Sequence, residues 1–212
     1  MTFIAIDFET ANEQRGSACS VGLAWIDNNE ITRIEERLIR PKDMRFSGMN
    51  IAIHGIRPEH VEDAPEFPAV MAEFWEDINA AVMIAHNAAF DMSVIRNAYD
   101  QYGLHYPQFD YLCTLQMSRK VWTHLPSHRL SDLSAHIGHA FRHHNAAEDA
   151  AMCGRVALAI AKDLGVGHIG DISKAISMSP GRLHAGGYRP CSCPNWSSAS
   201  HLKRPRKWGY GL

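Results

Sequence analysis

The stretch that decides the fold is the first ten residues, MTFIAIDFET, Met1 to Thr10. Thr2 to Phe8 is apolar on both faces except at Asp7, as in a strand buried in the middle of a sheet. Residues two apart on a strand share a face, so Asp7 and Glu9 point the same way at its end. Two like charges side by side at a sheet's centre repel. Either the strand has already ended in water, or something positive holds the pair.

Working outward, residues 18–26 and 31–39 are two more strand-like runs, separated by the turn residues Asp27-Asn28-Asn29. The three runs predict an antiparallel meander. Residues 41–54 are irregular, residues 67–78 have helical spacing through Phe67, Val70, Met71, Phe74 and Ile78, and 81–85 reads as a fourth strand. Helices follow over 88–102, 130–137 and 146–164, with a short fifth strand near 109–112. Three strands and then alternating helices and strands predict an α/β fold, a mixed five-stranded sheet flanked by helices. Beyond Gly165 the pattern fades. A domain over 1–170 and a Gly/Pro/Ser-rich tail over 171–212, extended from Arg189 onward, are expected.

Composition narrows the class. At 46% hydrophobic and 21% charged residues the 212-residue chain is neither disordered nor fibrous. Its unbroken apolar runs, such as 80–85 and 156–161, are too short to span a membrane. The start lacks a basic n-region and carries Asp7 and Glu9, so a cytoplasmic address is expected. Five scattered cysteines (19, 113, 153, 191, 193) predict reduced thiols rather than a disulfide framework. The net charge of −2 conceals a split: residues 172–212 carry seven basic groups and no acid, leaving a net −9 on residues 1–171. A basic tail suits either a polyanionic partner or plain solvation.

Two more carboxylates stand where water should not reach. Asp91 leads a stripe of Ile95, Ala98 and Tyr102, and Asp149 leads Met152, Val156 and Ile160, so each lies on the apolar face of its helix. Both helices open with His-Asn-Ala-Ala-x-Asp, at 86–91 and 144–149. Asn87 and Asn145 are expected N-caps, with Glu148 placed for a capping box. Dipole preference alone accounts for an acid near a helix start, but not for one on the core-facing stripe. A buried anion takes up a proton or a cation. Oxygen ligands select Mg²⁺ or Mn²⁺, and carboxylate clusters holding two such ions about 3.5–4 Å apart serve in-line phosphodiester displacement.

Asp7-Phe8-Glu9-Thr10, His86 to Asp91 and His144 to Asp149 resemble, in order and setting, the three exonuclease motifs of the DnaQ-like DEDDh family, over roughly residues 1–165. The resemblance implies an RNase H-like fold and metal-dependent 3′→5′ release of nucleoside 5′-monophosphates from single-stranded 3′ ends. Asp7, Glu9, Asp91 and Asp149 would ligate two Mg²⁺ or Mn²⁺ ions, and His144 would be the general base. Imidazole suits that task because it titrates near neutral pH. His54-Gly55-Ile56 resembles a segment lining the terminal-nucleotide pocket, with Thr10 and Phe90 as further substrate contacts. After Thr10, Ala11-Asn12 departs from the usual bulky apolar wedge.

The resemblance favours DNA over RNA as substrate, permits a homodimer and leaves association with a polymerase open. An RNA-trimming or oligoribonuclease-like enzyme is the alternative within the superfamily, because nothing visible reads a 2′-hydroxyl. A non-catalytic nucleic-acid binding module is the alternative outside enzymes. The histidines at 136, 139, 143 and 144 also allow a zinc site, though structural zinc usually recruits cysteine.

Overall fold

The structure, a computed structural model, describes residues 2–194. Its seven-stranded mixed sheet has the order β3-β2-β1-β4-β5-β6-β7, built from β1 (Thr2–Thr10), β2 (Ala18–Asp27), β3 (Glu30–Leu38), β4 (Ala81–Ala85), β5 (Phe109–Cys113), β6 (Gly181–His184) and β7 (Gly187–Arg189). The expected meander is present, and β4 and β5 run parallel to β1.

The helices are α1 (Gly48–His54), α2 (Pro58–Val61), α3 (Phe67–Glu73), α4 (Trp75–Ala80), α5 (Ala89–Gln101), α6 (Thr114–Val121), α7 (Leu130–His136), α8 (Ala146–Leu164) and α9 (Ile172–Ala175). The helix expected over 67–78 is two, because the chain leaves helical geometry at the buried Phe74, which ends α3 and begins α4. Phe74 still packs on Trp25, and Phe67 on Phe8, so the apolar spacing reports the shared face rather than one continuous helix.

β1 lies in the interior of the sheet, paired on both sides by β2 and β4. Its even residues, among them Phe8, face α3, while the odd residues face α8. Through Met152, Val156 and Ile160, all buried, α8 lies across β1 and β2. Each such side chain contributes about 1.5–3 kcal/mol on leaving water.

Two strands were not expected. β6 and β7 form a hairpin from 181–189, and β6 pairs antiparallel with β5. The pairing is tight: a Cβ on Gly181 would come 2.1 Å from the Tyr111 ring, so a residue that reads as tail filler is what admits the strand. Residues 169–175 form a 3₁₀ turn and α9, with Ile169, Ile172 and Ile176 in the core. The expected boundary at 170 therefore falls inside packed structure. Lys203, Arg204, Arg206 and Lys207 of the expected tail lie outside the described residues. All five cysteines are free thiols, and among the described residues no helix is long and apolar enough to cross a membrane.

Candidate active site

β4 pairs with β1 only as far as Ala5–Ile84, so the edge of β1 beyond that point is vacant. Asp91, one turn into α5, fills it: the Phe8 backbone N–H donates to its Oδ1 at 3.2 Å. Asp91 is 1% exposed, and its Oδ2 is buried with no hydrogen-bond partner among the described residues. Asp7 and Glu9, flanking Phe8 on the opposite face, remain partly exposed to a cleft. Asp149 comes from the other side, one turn into α8.

The approach of α8 has a cause in β2. Gly22 pairs with Asp7, and a Cβ there would sit 2.0 Å from the Ala146 carbonyl at the start of α8. Only a bare backbone lets the helix start come so near Asp7. Asn145 caps that start as expected, its side chain accepting the Glu148 N–H at 3.0 Å. Asn87 does not cap α5: it sits in a left-handed turn (φ 58°), and Ala88 takes the cap position without a side-chain bond.

Carboxylate oxygens of Asp7, Glu9 and Asp149 lie within 4.8 Å of one another. Burial, reinforced by the charges of Asp91, Asp149 and Glu9, pushes Asp7 well above the ordinary carboxylate range. Glu9 is pushed up to about 7 by burial and by Asp149 and Glu36. Asp91 and Asp149 are raised too, each chiefly by burial. Four anions that resist charging, one with an orphaned buried oxygen, fit a site for hard cations. The donors are all oxygen, as such ions require. Asp91, behind β1, is not part of the 4.8 Å group and offers its unpartnered Oδ2 instead.

The two histidines ahead of α8 divide their tasks. His143 Nδ1 contacts Asp149 Oδ1 at 2.7 Å, and the His144 backbone N–H donates to Asp149 Oδ2 at 2.7 Å. The His144 ring is exposed, stacked on His143 with centroids 3.9 Å apart, and burial together with His143 lowers its pKa. His144 adopts φ 65°, a left-handed strain that its backbone bond to Asp149 holds in place. His143 carried no motif signal beyond its proximity to His144. His136 lies against Trp122 at 4.7 Å and His139 joins no ligand group among the described residues, so the expected histidine cluster reduces to 143 and 144.

His86, at the same offset from its Asp as His144, is enclosed rather than free. Its Nδ1 contacts Thr114 Oγ1 at 3.0 Å, and burial drives its pKa down to about 4. His54 Nε2 contacts the Thr10 carbonyl at 3.1 Å, and the Asn50 amide donates to the same carbonyl at 2.7 Å. Thr10 is thus buried under α1, its carbonyl already engaged. Phe90 is a half-buried wall residue with the Arg15 guanidinium 4.2 Å above its ring. Asn12, which stands in place of the family's apolar wedge, is buried and holds the following turn through Gln14 and Arg45.

The cleft encloses ≈ 920 Å³ and runs from Asp7, Glu9 and Asp149 past Phe90 to Arg119, Ser127 and Arg129. The two arginines are exposed, and among the described residues neither is in an ion pair. They come from α6 and the loop before α7, a segment with no local motif.

A mixed sheet whose central strand ends in paired carboxylates, with two helix starts delivering further acids, defines a nuclease of RNase H-like fold. The chain belongs to the exonuclease family of RNase T type, matched over residues 4–157, and is a DnaQ-like DEDDh 3′→5′ exonuclease, a divalent-metal-dependent class. It is 30% identical over 182 residues to the DNA polymerase III PolC-type of Staphylococcus aureus, covering 83% of this chain but only 13% of that protein. Exonuclease X in complex with 5′-overhanging duplex DNA shares its fold at TM-score 0.66 and 21% identity, over 82% of this chain and 98% of that one. The nuclease domain of 3′hExo, a DEDDh family member bound to rAMP, does so at 0.67 and 18%, over 76% and 92%.

Proposed function

We propose that this 3′→5′ exonuclease removes nucleoside 5′-monophosphates from single-stranded DNA 3′ ends, with Asp7, Glu9, Asp91 and Asp149 holding two Mg²⁺ or Mn²⁺ ions and His144 as general base. The observation that carries the reading is the convergence of Asp7, Glu9 and Asp149 beside the unpartnered Oδ2 of Asp91. Bound cations supply Lewis-acid stabilisation of the charge that develops on the phosphate and leaving oxygen.

The protein's own groups do the rest. His144, exposed at the cleft and with a lowered pKa, is neutral at physiological pH and free to take the proton of the attacking water. His143 orients Asp149 through the 2.7 Å contact. Thr10, next to Glu9 and held through its carbonyl by His54 of α1, is assigned to the side of the carboxylates where the terminal nucleoside belongs, and Phe90 offers that nucleoside an aromatic wall of the cleft. Arg119 and Arg129 provide the positive lining that a phosphate backbone needs.

DNA is favoured by the relative at 30% identity, a DNA polymerase by name. The test is release of 5′-mononucleotides from matched 3′-labelled DNA and RNA strands with Mg²⁺ or Mn²⁺, abolished by EDTA and by Asp7→Asn. Faster digestion of RNA would transfer the reading to an RNA-trimming enzyme. A folded protein that binds both strands and cuts neither would make it a binding module.

A further inference from the structure

The cleft continues past the carboxylates. Asn87, Leu115 and Arg119 form one of its walls and also line a smaller, more enclosed hollow of ≈ 280 Å³. Arg96 of α5 and Tyr188 of β7 belong to the same hollow. Tyr188 is 49% exposed, an unusual position for a large aromatic ring, and the Arg96 guanidinium covers it 3.6 Å from the ring centroid. Arg96 is itself held, because its Nε donates to the Met92 carbonyl at 3.2 Å. A fixed cation behind one face leaves the other face of the ring as a ready stacking surface.

Among the described residues no carboxylate lines the hollow: Asp100, which accepts the Tyr106 hydroxyl at 2.7 Å, lies outside its lining, and Asp110 is paired with Arg182 at 3.3 Å. The hairpin lies beyond residues 4–157, the part matched by the family model.

We propose that this hollow is a second nucleic-acid subsite: the single strand 5′-ward of the reacting nucleotide runs past Arg119, which meets its backbone, and places a base on the open face of Tyr188. The inference rests on the nuclease reading for the identity of the strand. With the 3′ end at the carboxylates, the remaining strand has the arginine-lined wall of the cleft to follow, and the hollow opens from that wall. Stacking on tyrosine is tolerant of sequence, as a trimming enzyme needs.

The experiment compares wild type, Tyr188→Ala and Tyr188→Phe on a dinucleotide and on a single strand of about 16 nucleotides. Tyr188→Ala is expected to raise KM for the long strand about tenfold, with kcat kept and dinucleotide cleavage unchanged, whereas Tyr188→Phe retains wild-type KM. The same substitutions in an Asp7→Asn background, read by fluorescence anisotropy with Mg²⁺, are expected to show the same loss of affinity for the long strand. An unchanged KM and affinity in Tyr188→Ala would overturn the subsite. So would equal losses on both substrates, which would make Tyr188 a packing residue. If the wild type releases no mononucleotide, the nuclease reading fails, and the anisotropy arm still decides the platform on its own.

Discussion

Gly22 and Ala146 meet backbone to backbone: a Cβ on Gly22 would stand 2.0 Å from both the carbonyl carbon and oxygen of Ala146. The contact sets how near α8 approaches β1, and so how near Asp149 comes to Asp7, the residue paired with Gly22. Gly22→Ala must push the helix start outward. Overpacking of this kind costs about 1–3 kcal/mol. The expected result is a melting temperature lowered by roughly 2–4 °C per kcal/mol and an activity loss larger than that instability accounts for, recovered in part by excess Mg²⁺. Gly154→Ala on the same helix meets the flexible ends of Ile26 at 3.0 Å and Ile31 at 3.5 Å and serves as control. Equal activity losses in both variants would remove the special place of Gly22.

The repeated hexapeptide yields a second comparison. His144→Ala is expected to lower kcat by about 10²–10⁴-fold, the range for loss of a general base, while His86→Ala keeps most turnover. His143→Ala should act differently again, weakening the hold on Asp149 and therefore raising the Mg²⁺ concentration needed for half-maximal rate. Steady-state kinetics over a metal titration separates the three. Equal effects of His86→Ala and His144→Ala on kcat would refute the assignment.

Much of the site could be read from the sequence because its chemistry is local. Asp7 and Glu9 are two apart on a strand, and Asp91 and Asp149 each stand at a fixed offset on an apolar helical stripe, so secondary-structure period alone exposes them. Gly22 could not be read, since its role is the distance to a helix more than a hundred residues later. Arg119 and Arg129 carry no spacing signal and reach the wall of the cleft only through packing. The hairpin of β6 and β7, four and three residues long, offers too few positions for alternation to register, and the glycine that admits it looks like a loop residue. Asn87 and Asn145 share a motif, yet only Asn145 caps, because Asn87 is itself the left-handed residue before α5, whereas before α8 that residue is His144 and Asn145 is extended.

His86 makes acid a specific stress. Its folded pKa of about 4 lies below the ordinary 6.5, so the unfolded chain binds the extra proton between those values. Stability from this group is complete above pH 6.5 and is lost as the pH falls toward 4, by up to about 3 kcal/mol. His86→Gln should remove that part of the slope. Urea titrations of both proteins at pH 4.5 and pH 7.5 would measure it, and parallel curves would sink the prediction.

The carboxylates give the opposite sign and a metal dependence. Glu9, with its folded value raised to about 7, favours the metal-free fold while protonated, so that support is lost as pH rises from 4.5 through 7. Cations must displace those protons, so binding strengthens with pH. The expected outcome is a Mg²⁺-induced rise in melting temperature that is larger at pH 8 than at pH 6. At a hundredfold excess over the dissociation constant the stabilisation is about 2.7 kcal/mol. Equal rises at both pH values would mean that the ions bind elsewhere.

The basic C-terminal stretch can now be cut at a defensible place. Truncation at 182 would strip both β6 and β7 from the sheet and expose the edge of β5, confounding affinity with folding. Removal of residues 195–212 leaves every described element intact and still takes away Lys203, Arg204, Arg206 and Lys207. If those four cations contact backbone phosphates, the dependence of log K on log salt for a long single strand should flatten by about 3, at roughly 0.7 per contact. Dinucleotide cleavage should persist, because the carboxylates, His144 and Thr10 are untouched. An unchanged salt slope would assign the four charges to solvation and leave the Arg119 and Tyr188 track to carry the long-strand affinity.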